Sequence, residues 1–531
     1  MWLTRSCYTL DFSPAEPSQQ STALLTPPPL ATPMSNQHHD ILIIGAGLSG
    51  IGTACHFAEE FPGKSLAILE RRERIGGTWD LFRYPGIRSD SDMLSFSYKF
   101  RLWNKRKVLA DGPEIRQYIE DTAAQYGITK KIQYELKIIS ADWSSQQRLW
   151  HLTAQHEPSG ETKHYSCKFL VCCTGYYNHD DGFLPKFPGE ENFKGTRIHP
   201  QHWPEDLNYK GKQVVVIGSG ATAATLIPAM ADSVGHITML QRSPSYIYSL
   251  PSVDKVTAVL SRIMPASWAN SLGRKRNILI YRGVYLACRR WPKLMRSFLL
   301  AHVRSKVGPN VDMRHFTPKY MPWDERLCAV PNGDLFKSVR SGKASVETDH
   351  IERFTENGIL LKSGKELQAD IIVAATGLKL QMLGGMSLCI DGKPCPIGEQ
   401  MTYKGVLLEN VPNFAWIIGY TNISWTLKST IAAEYLCRLL KHMEKYKLEV
   451  VTPFDTEDNA TDEGILGLSS GYIQRDQHLL PRQGKAYPWK VLHHYGRDKK
   501  ILLEHPVADG RLEFLSASPD AYRTQPSRLA G

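Results

Sequence analysis

The chain has 531 residues, a length that indicates two to four domains. Its composition, 42% hydrophobic and 22% charged, is that of a globular protein and argues against a disordered chain. Its ten cysteines include no Cys-x-x-Cys pair, which argues against a disulfide scaffold, a zinc ribbon or a dithiol reductase and fits a reducing cytoplasm.

The net charge of +11 is concentrated in one stretch of the sequence. Between Lys255 and Lys306 there are twelve Lys or Arg and no Asp or Glu, which accounts for the whole excess. A nucleic-acid partner is not expected, since no nucleic-acid-reading motif accompanies this charge. The sequence has no run of 18 apolar residues and no secretory signal pattern, so we expect a cytoplasmic protein without a transmembrane helix.

Both ends of the chain are predicted to be disordered tails. Residues 1–37 are polar and rich in proline, and residues 516–531 follow the last predicted element. Met34 lies just upstream of the first predicted strand, so one hypothesis is that translation starts there. Mass spectrometry of the native N-terminus distinguishes this hypothesis from translation of residues 1–33.

The first predicted strand leads into a glycine-rich turn. The apolar run 40–44 is typical of a buried parallel strand, and it is followed by Gly45, Gly47 and Gly50 in the spacing G-x-G-x-x-G. This spacing gives a tight turn, close approach to a pyrophosphate, and tight helix–strand packing at a helix N-terminus. Glu70 ends the next predicted strand, where it can accept hydrogen bonds from ribose hydroxyls.

A second turn of the same kind follows another buried apolar strand. It begins at Gly218 and Gly220, and the strand after it ends in Gln241 and Arg242 instead of an acid. An acid would repel a 2′-phosphate, whereas Arg242 offers it a bidentate partner, so this turn is predicted to bind NADPH. Two dinucleotide turns indicate a flavin together with a pyridine nucleotide in an α/β fold. The turns alone leave a disulfide, a quinone and dioxygen open as electron acceptors.

A motif between the two turns narrows this choice. Phe193, Gly195, His199, Trp203 and Pro204 match the pattern F-x-G-x-x-x-H-x-x-x-W-P. The chain resembles the Baeyer–Villiger monooxygenases, class B flavoprotein monooxygenases that carry this fingerprint. In that family the motif links two domains and couples cofactor binding to domain movement. Related flavin monooxygenases and N-hydroxylases usually have Tyr or Phe at the Trp203 position.

A second resemblance lies in residues 76–92, which are similar to the family segment that wraps the flavin. The similarity spans nearly all of residues 38–510 and points to the subgroup of ethionamide-activating and long-chain alkane monooxygenases. The resulting FAD-binding prediction comprises Gly45, Gly47, Ser49, Gly50, Glu70, Thr78, Trp79, Asp80, Arg88, Ser89, Asp90 and Ile138. The NADPH-binding prediction comprises Gly218, Ser219, Gly220, Ala221, Thr222, Gln241 and Arg242.

The resemblance also implies a domain arrangement. Gly175 marks where the chain leaves the FAD domain, and Thr376 with Gly377 marks where it returns beside the cofactors. We therefore expect an α/β protein with two Rossmann-like domains. The predicted domains are a discontinuous FAD domain at 38–180 and 372–515, and an NADPH domain at 181–371 with a basic helical insertion at about 250–318.

The mechanism that the resemblance implies uses a C4a-peroxyflavin to insert one oxygen atom from O₂ beside a ketone carbonyl, giving an ester. Arg326 matches the active-site arginine of the family and would stabilise negative charge, with Asp90 orienting it. An ordinary ion pair between Arg326 and Asp324 or Glu325 is the alternative interpretation. No metal is expected.

Several alternatives stay open. Within the subgroup, S-oxygenation and long-chain alkane oxidation compete with ketone oxidation, and the substrate is expected to be small and hydrophobic. An NADPH reductase or oxidase and a non-catalytic flavoprotein are less favoured. Residues 274–300 fit either a basic amphipathic surface on an anionic membrane or, as we favour, helices that cap the cavity. The sequence does not predict the oligomeric state.

Overall fold

The computed structural model describes residues 37–325, 327–457, 459–467 and 471–516. The two predicted tails therefore lie outside the described residues, apart from Gln37 and Ser516. The described helices are α1 (Leu48–Glu60), α2 (Thr78–Leu81), α3 (Met93–Phe96), α4 (Gly112–Gln125), α5 (Ala221–Met230), α6 (Lys255–Ile263), α7 (Ala266–Arg290), α8 (Pro292–Val307), α9 (Asp334–Arg340), α10 (Trp425–Lys445), α11 (Gly471–Asp476) and α12 (Tyr495–Leu503).

The described strands are β1 (Gln37–Ile44), β2 (Leu66–Leu69), β3 (Ile132–Gln133), β4 (Leu136–Ser144), β5 (Leu149–His156), β6 (Thr162–Cys172), β7 (Tyr177–Gly182), β8 (Thr196–Ile198), β9 (Gln213–Ile217), β10 (His236–Gln241), β11 (Ile247–Leu250), β12 (Cys328–Pro331), β13 (Ala344–Thr348), β14 (Ile351–Thr355), β15 (Gly358–Leu361), β16 (Glu366–Gln368), β17 (Ile371–Ala374), β18 (Leu378–Leu380), β19 (Ser387–Ile390), β20 (Lys393–Pro394), β21 (Thr402–Tyr403), β22 (Leu407–Leu408), β23 (Phe414–Trp416), β24 (Leu448–Pro453), β25 (Ala460–Gly464), β26 (Arg482–Gly484) and β27 (Leu512–Ser516).

The larger sheet is built around β1, whose apolar half is buried on both faces. Its main path runs β20-β19-β4-β5-β6-β1-β2-β3, and β23 joins the edge of β6. The strands β6, β1, β2 and β3 are parallel, whereas β4, β5 and β6 form an antiparallel meander. Helices α1 and α10 pack together against this sheet, so a late segment of the chain completes the first layer.

The second sheet has five strands in the order β13-β10-β9-β17-β8, and every pairing is parallel. Helices α5 and α9 cover it, and its buried side chains form a core separate from that of the larger sheet. Parallel strands joined by helices give the predicted α/β architecture. The strand Ile371–Ala374 pairs in this second sheet, so the chain crosses back to the larger sheet after Ala374.

Helices α6, α7 and α8 follow β11 and precede β12, and they form the predicted basic helical insertion. Helix α8 packs into the core of the second sheet through Val303 and Val307. Helix α7 packs against both α6 and the short α3. In the described part of the chain, no helix is long and apolar enough to span a membrane.

Candidate active site

A cavity of about 1050 Å³ lies where the two sheets face each other, and both glycine turns line it. The carboxyl ends of β1, β2, β9 and β10 point towards it, which is where α/β sheets bind ligands. Its apolar lining includes Phe96, Tyr176, Phe183, Leu383, Tyr420 and Trp425.

The first turn has the geometry that its glycines predict. Gly45 has a φ of +99°, and a Cβ on Gly50 would lie 1.9 Å from the carbonyl oxygen of Gly45. A Cβ on Gly47 would meet nothing closer than 3.6 Å, so its backbone borders the cavity directly at the start of α1. The side chain of Ser49 in this helix accepts a hydrogen bond of 2.8 Å from the indole of Trp425.

Glu70 holds this turn in place from the end of β2. One carboxylate oxygen accepts the N–H of Ala46 at 2.6 Å and the other accepts the N–H of Arg72 at 2.8 Å. Burial raises the pKa of Glu70, and the two backbone donors oppose that shift. Each oxygen has a second lone pair, so the carboxylate can also accept a ligand hydroxyl from the cavity that it lines.

The segment 76–92 is split between the cavity and the protein interior. Thr78 and Trp79 line the cavity, as does Ile138 in β4. Asp80 does not: its side chain is 2% exposed and lies 2.7 Å from the guanidinium of Arg72. The carboxylate of Asp80 therefore pairs with Arg72 behind the first glycine turn and does not face the cavity.

The next three predicted residues all line the cavity. Arg88 is nearly buried and forms an ion pair of 2.9 Å with Asp334, the first residue of α9. The hydroxyl of Ser89 donates to the carbonyl of Ser91 at 2.8 Å, which shapes the loop that presents Asp90. The Arg88–Asp334 pair therefore joins this loop to the helix layer of the second sheet.

The second turn repeats the first. Gly218 has a φ of +139°, and a Cβ there would lie 2.3 Å from the carbonyl oxygen of Ala375. A Cβ on Gly220 would meet no atom within 4 Å. Ser219, Ala221 and Thr222 line the cavity at the start of α5. Both turns thus combine an obligatory glycine with open backbone at a helix N-terminus, and both fit a dinucleotide pyrophosphate.

Gln241 and Arg242 point in different directions. The amide of Gln241 is buried and donates to the carbonyl of His315 at 2.7 Å and to Thr348 at 2.8 Å. Arg242 is exposed at the cavity rim, where its charge acts on Glu325. Burial raises the pKa of Glu325, and Arg242 opposes that shift. Arg242 is therefore the member of this pair that is placed to meet a phosphate.

The fingerprint histidine lies at the crossing between the sheets. His199 donates from Nε2 to the carbonyl of Gly377 at 3.1 Å, and its Nδ1 accepts the N–H of Gln201 at 3.2 Å. Burial lowers the pKa of His199, which keeps the ring neutral in this bridging tautomer. Thr376 and Gly377 line the cavity, and the hydroxyl of Thr376 donates to Phe183. The linker therefore contacts the returning chain beside the cavity.

Arg326 lies outside the described residues. Its neighbours Glu325 and Leu327 both line the cavity. Asp324, one alternative partner for Arg326, forms an ion pair of 2.9 Å with Arg289.

The structure adds residues that the sequence interpretation did not assign. Tyr176, Tyr420 and Trp425 line the cavity, and a Cβ on Gly419 would lie 2.1 Å from the Trp425 ring. Nothing in the sequence indicates that α10, which begins at Trp425, returns to the first turn. Among the described residues, no group of His, Cys, Asp and Glu is arranged to hold a metal ion.

Curated relatives match almost the whole chain. MymA of Mycobacterium tuberculosis is 63% identical over 490 residues, which cover 91% of this chain and 99% of MymA. AlmA of Acinetobacter baylyi is 50% identical over 90% of this chain and 96% of its own length. The FAD-containing monooxygenase EthA of M. tuberculosis is 48% identical over 90% of this chain and 98% of its own length.

Solved structures agree on the fold. A steroid monooxygenase bound to NADP superposes with a TM-score of 0.73 at 21% identity, covering 90% of this chain and all of that one. A cyclohexanone monooxygenase in an open state gives 0.70 at 20% identity, covering 91% and 100%. The predicted α/β fold with two dinucleotide-binding domains is confirmed. Residues 38–383 match the model of the flavin-binding monooxygenase-like proteins, and the chain belongs to that family.

Proposed function

We propose that the chain is an FAD- and NADPH-dependent monooxygenase that converts ketones to esters. The observation that carries this proposal is a single cavity into which both dinucleotide turns, Asp90 and the neighbours of Arg326 all open. The overall reaction consumes a ketone, O₂, NADPH and a proton, and yields an ester, NADP⁺ and water.

The first turn would hold FAD. The N-terminus of α1 would face the pyrophosphate, and Glu70 would accept ribose hydroxyls through its remaining lone pairs. Thr78, Trp79 and Ile138, which line the cavity wall, would enclose the cofactor. When bound and reduced, FAD supplies the activation of O₂ and the transfer of one of its oxygen atoms.

The second turn would hold NADPH. The N-terminus of α5 would face its pyrophosphate, and Arg242 would pair with the 2′-phosphate. His199 belongs to the fingerprint segment 193–204, the predicted linker. Its hydrogen bond to the carbonyl of Gly377 connects this linker with the point where the chain returns to the larger sheet. Burial lowers the pKa of His199 and outweighs the Gly377 carbonyl, which by itself would raise it.

Arg326 would stabilise the negative charge that develops on the substrate carbonyl oxygen. Arginine keeps its charge at neutral pH, so it supplies this stabilisation without losing a proton. Asp90 lines the same cavity and would orient the guanidinium. The aromatic and aliphatic part of the lining would limit the access of water to these charges when the cofactors are bound, which would strengthen their interactions.

The apolar lining also indicates the substrate class. Phe96, Phe183, Leu383 and Trp425 offer surfaces for an alkyl chain rather than hydrogen bonds for a polar molecule. We infer a hydrophobic ketone, with long-chain ketones as the first candidates. S-oxygenation of thioethers and long-chain alkane oxidation are the alternatives at the same site.

A panel of matched substrates tests this proposal. The purified FAD-loaded enzyme is given NADPH and, separately, a long-chain 2-ketone, a thioether and an alkane of equal length, and the products are identified by gas chromatography and mass spectrometry. Ester from the ketone at the highest rate supports the proposal. Faster sulfoxide formation would assign S-oxygenation, and oxidised alkane as the main product would assign alkane oxidation.

A further inference from the structure

The insertion helices expose an unusual amount of apolar surface. Of the 17 large hydrophobic residues that are exposed in the described part of the chain, 12 lie between Val256 and Phe298. Exposed apolar residues are normally scattered over a protein surface, and contiguous ones mark an interaction site. The three helices α6, α7 and α8 contain nearly all of them.

Helix α7 arranges these residues as one stripe. Trp268, Leu272, Leu279 and Leu286 follow one another at intervals of four or seven residues, so they share one face. Trp268 is 69% exposed and Leu279 is 65% exposed. The stripe extends about 27 Å at 1.5 Å per residue. The buried side chains of α7 lie on the opposite face, so this stripe is not part of the core.

Basic residues alternate with the apolar ones along the same stripe. Lys275, Arg282 and Arg290 fall between or just beyond the leucines, again at intervals of three or four residues. All three are exposed. No Asp or Glu occurs in the sequence from residue 255 to residue 311, so no acid of these helices neutralises them.

The flanking helices continue this pattern. Val256, Val259 and Ile263 lie on one face of α6, and all three are exposed. In α8, Leu294 and Phe298 are one helical turn apart and both are more than 60% exposed. We name the exposed residues of α6, α7 and α8 the insertion surface.

We propose that the insertion surface docks on an anionic lipid bilayer. Tryptophan, phenylalanine and leucine insert at the boundary of headgroups and acyl chains, while Lys and Arg attract anionic headgroups. A second copy of this chain fits less well, because two such surfaces would bring unneutralised basic residues together. Nucleic acid would use the charge but would leave the leucine stripe exposed.

The inner face of α7 connects this surface with the cavity. The buried guanidinium of Arg274 donates to the carbonyls of Leu94 at 3.0 Å and Ser97 at 2.6 Å, and Asn277 donates to Asp92 at 2.9 Å. These contacts hold the segment that carries Asp90 at the cavity wall. One helix, about 10 Å thick, therefore separates the bilayer face from the wall of the site, which suits an enzyme whose substrate is dissolved in lipid.

Vesicle co-sedimentation of the FAD-loaded full chain tests this proposal. Phosphatidylcholine vesicles with phosphatidylglycerol should pellet the protein at low salt, whereas pure phosphatidylcholine vesicles or high salt should release it. The triple variant Lys275→Gln, Arg282→Gln, Arg290→Gln should bind about 100-fold more weakly, and Leu272→Gln, Leu279→Gln, Leu286→Gln at least about 10-fold more weakly.

A matched control removes the same charge elsewhere. Lys130, Lys362 and Lys393 are exposed and lie outside the insertion surface, so their replacement by Gln should leave vesicle binding unchanged. No binding by the wild type, or equal loss in the control, overturns the proposal. The proposal is also overturned if the protein forms a dimer in solution that is abolished only by the triple leucine-to-glutamine variant. That result would assign the insertion surface to a second copy of the chain. Binding is read without NADPH or ketone, so its failure is distinguishable from failure of the proposed function.

Discussion

In the proposed function, the choice between NADPH and NADH falls to Arg242, the exposed cation at the cavity rim after β10. Replacing it with alanine would remove the proposed partner of the 2′-phosphate. The KM for NADPH should rise about 10- to 100-fold while the KM for NADH stays unchanged, because NADH has no phosphate at that position. Steady-state kinetics with both nucleotides measure this difference.

The exposed Arg353 in β14 provides the control for this experiment. Arg353→Ala changes the net charge equally and should leave both KM values unchanged. An equal loss with NADPH and NADH in Arg242→Ala would show that Arg242 acts on the fold or on the shared part of the nucleotide.

Arg326 is the second residue on which the proposed chemistry depends. Arg326→Ala should keep FAD bound and continue to oxidise NADPH, but ester formation should fall at least about 100-fold, because the developing oxyanion loses its cation. The consumed NADPH should then appear as hydrogen peroxide. Arg289→Ala, which removes an exposed arginine that forms an ion pair with Asp324, is the matched control. Undiminished ester from Arg326→Ala would remove this residue from the mechanism.

Individual side chains also show where sequence interpretation ends. Glu70 and Arg242 could be placed from the sequence, because each follows a predicted strand after a glycine turn and strand direction fixes the position. Gln241 was predicted on the same grounds and Asp80 from the family resemblance, yet both turn inwards, Asp80 to Arg72 and Gln241 to His315. Which way a side chain turns depends on such tertiary partners.

At the scale of elements, the Arg88–Asp334 pair connects the cavity loop with α9. Arg88 is 9% exposed and Asp334 is 30% exposed, so breaking the pair leaves a poorly solvated charge. Asp334→Ala should lower the stability by about 3 kcal/mol. Thermal unfolding of both single variants and of Arg88→Met with Asp334→Ala measures the coupling. If the double variant loses as much stability as the two single variants lose together, a direct interaction between Arg88 and Asp334 is contradicted.

The linker is the second element with a testable contact. Burial lowers the pKa of His199, so below the ordinary pKa the unfolded chain takes up a proton that the folded ring does not. The folded protein therefore keeps its full stability above the ordinary pKa of histidine and loses stability as the pH falls below it. His199→Gln retains a donor for Gly377 without titrating, so its Tm should fall less than that of the wild type between about pH 7 and about pH 5.

His179 titrates in both proteins, since burial and the neighbouring arginines lower its pKa to about 4, so some decrease remains in the variant. Identical slopes of Tm against pH in the wild type and in His199→Gln would contradict the assignment of a neutral, buried His199.

The insertion helices show a further limit of the sequence at this scale. Their helical character and positive charge follow from composition and spacing. Which apolar residues would stay exposed could not be predicted, because that depends on how α7 packs against α3 and α6. The membrane interpretation, less favoured from the sequence than a simple cap, becomes the stronger one only when the exposed leucine stripe is seen.

At the scale of the whole molecule, the two sheets place two cofactor turns, 173 residues apart in sequence, on one cavity. Their local geometry was predictable from glycine spacing, since each turn is formed by consecutive residues. Their convergence was implied by family resemblance and not by spacing, because it depends on the crossings near Gly175 and Gly377. The closure of the site by Trp425 is likewise a product of the tertiary fold.

The most direct test of the central claim follows one oxygen atom. The FAD-loaded enzyme is incubated with NADPH, a long-chain 2-ketone and ¹⁸O₂, and the product is analysed by mass spectrometry. An ester that carries a single ¹⁸O atom, formed in proportion to the NADPH consumed, is the predicted result. NADPH consumption that is recovered entirely as labelled hydrogen peroxide, with no labelled ester, would contradict the claim and assign the chain to the oxidases.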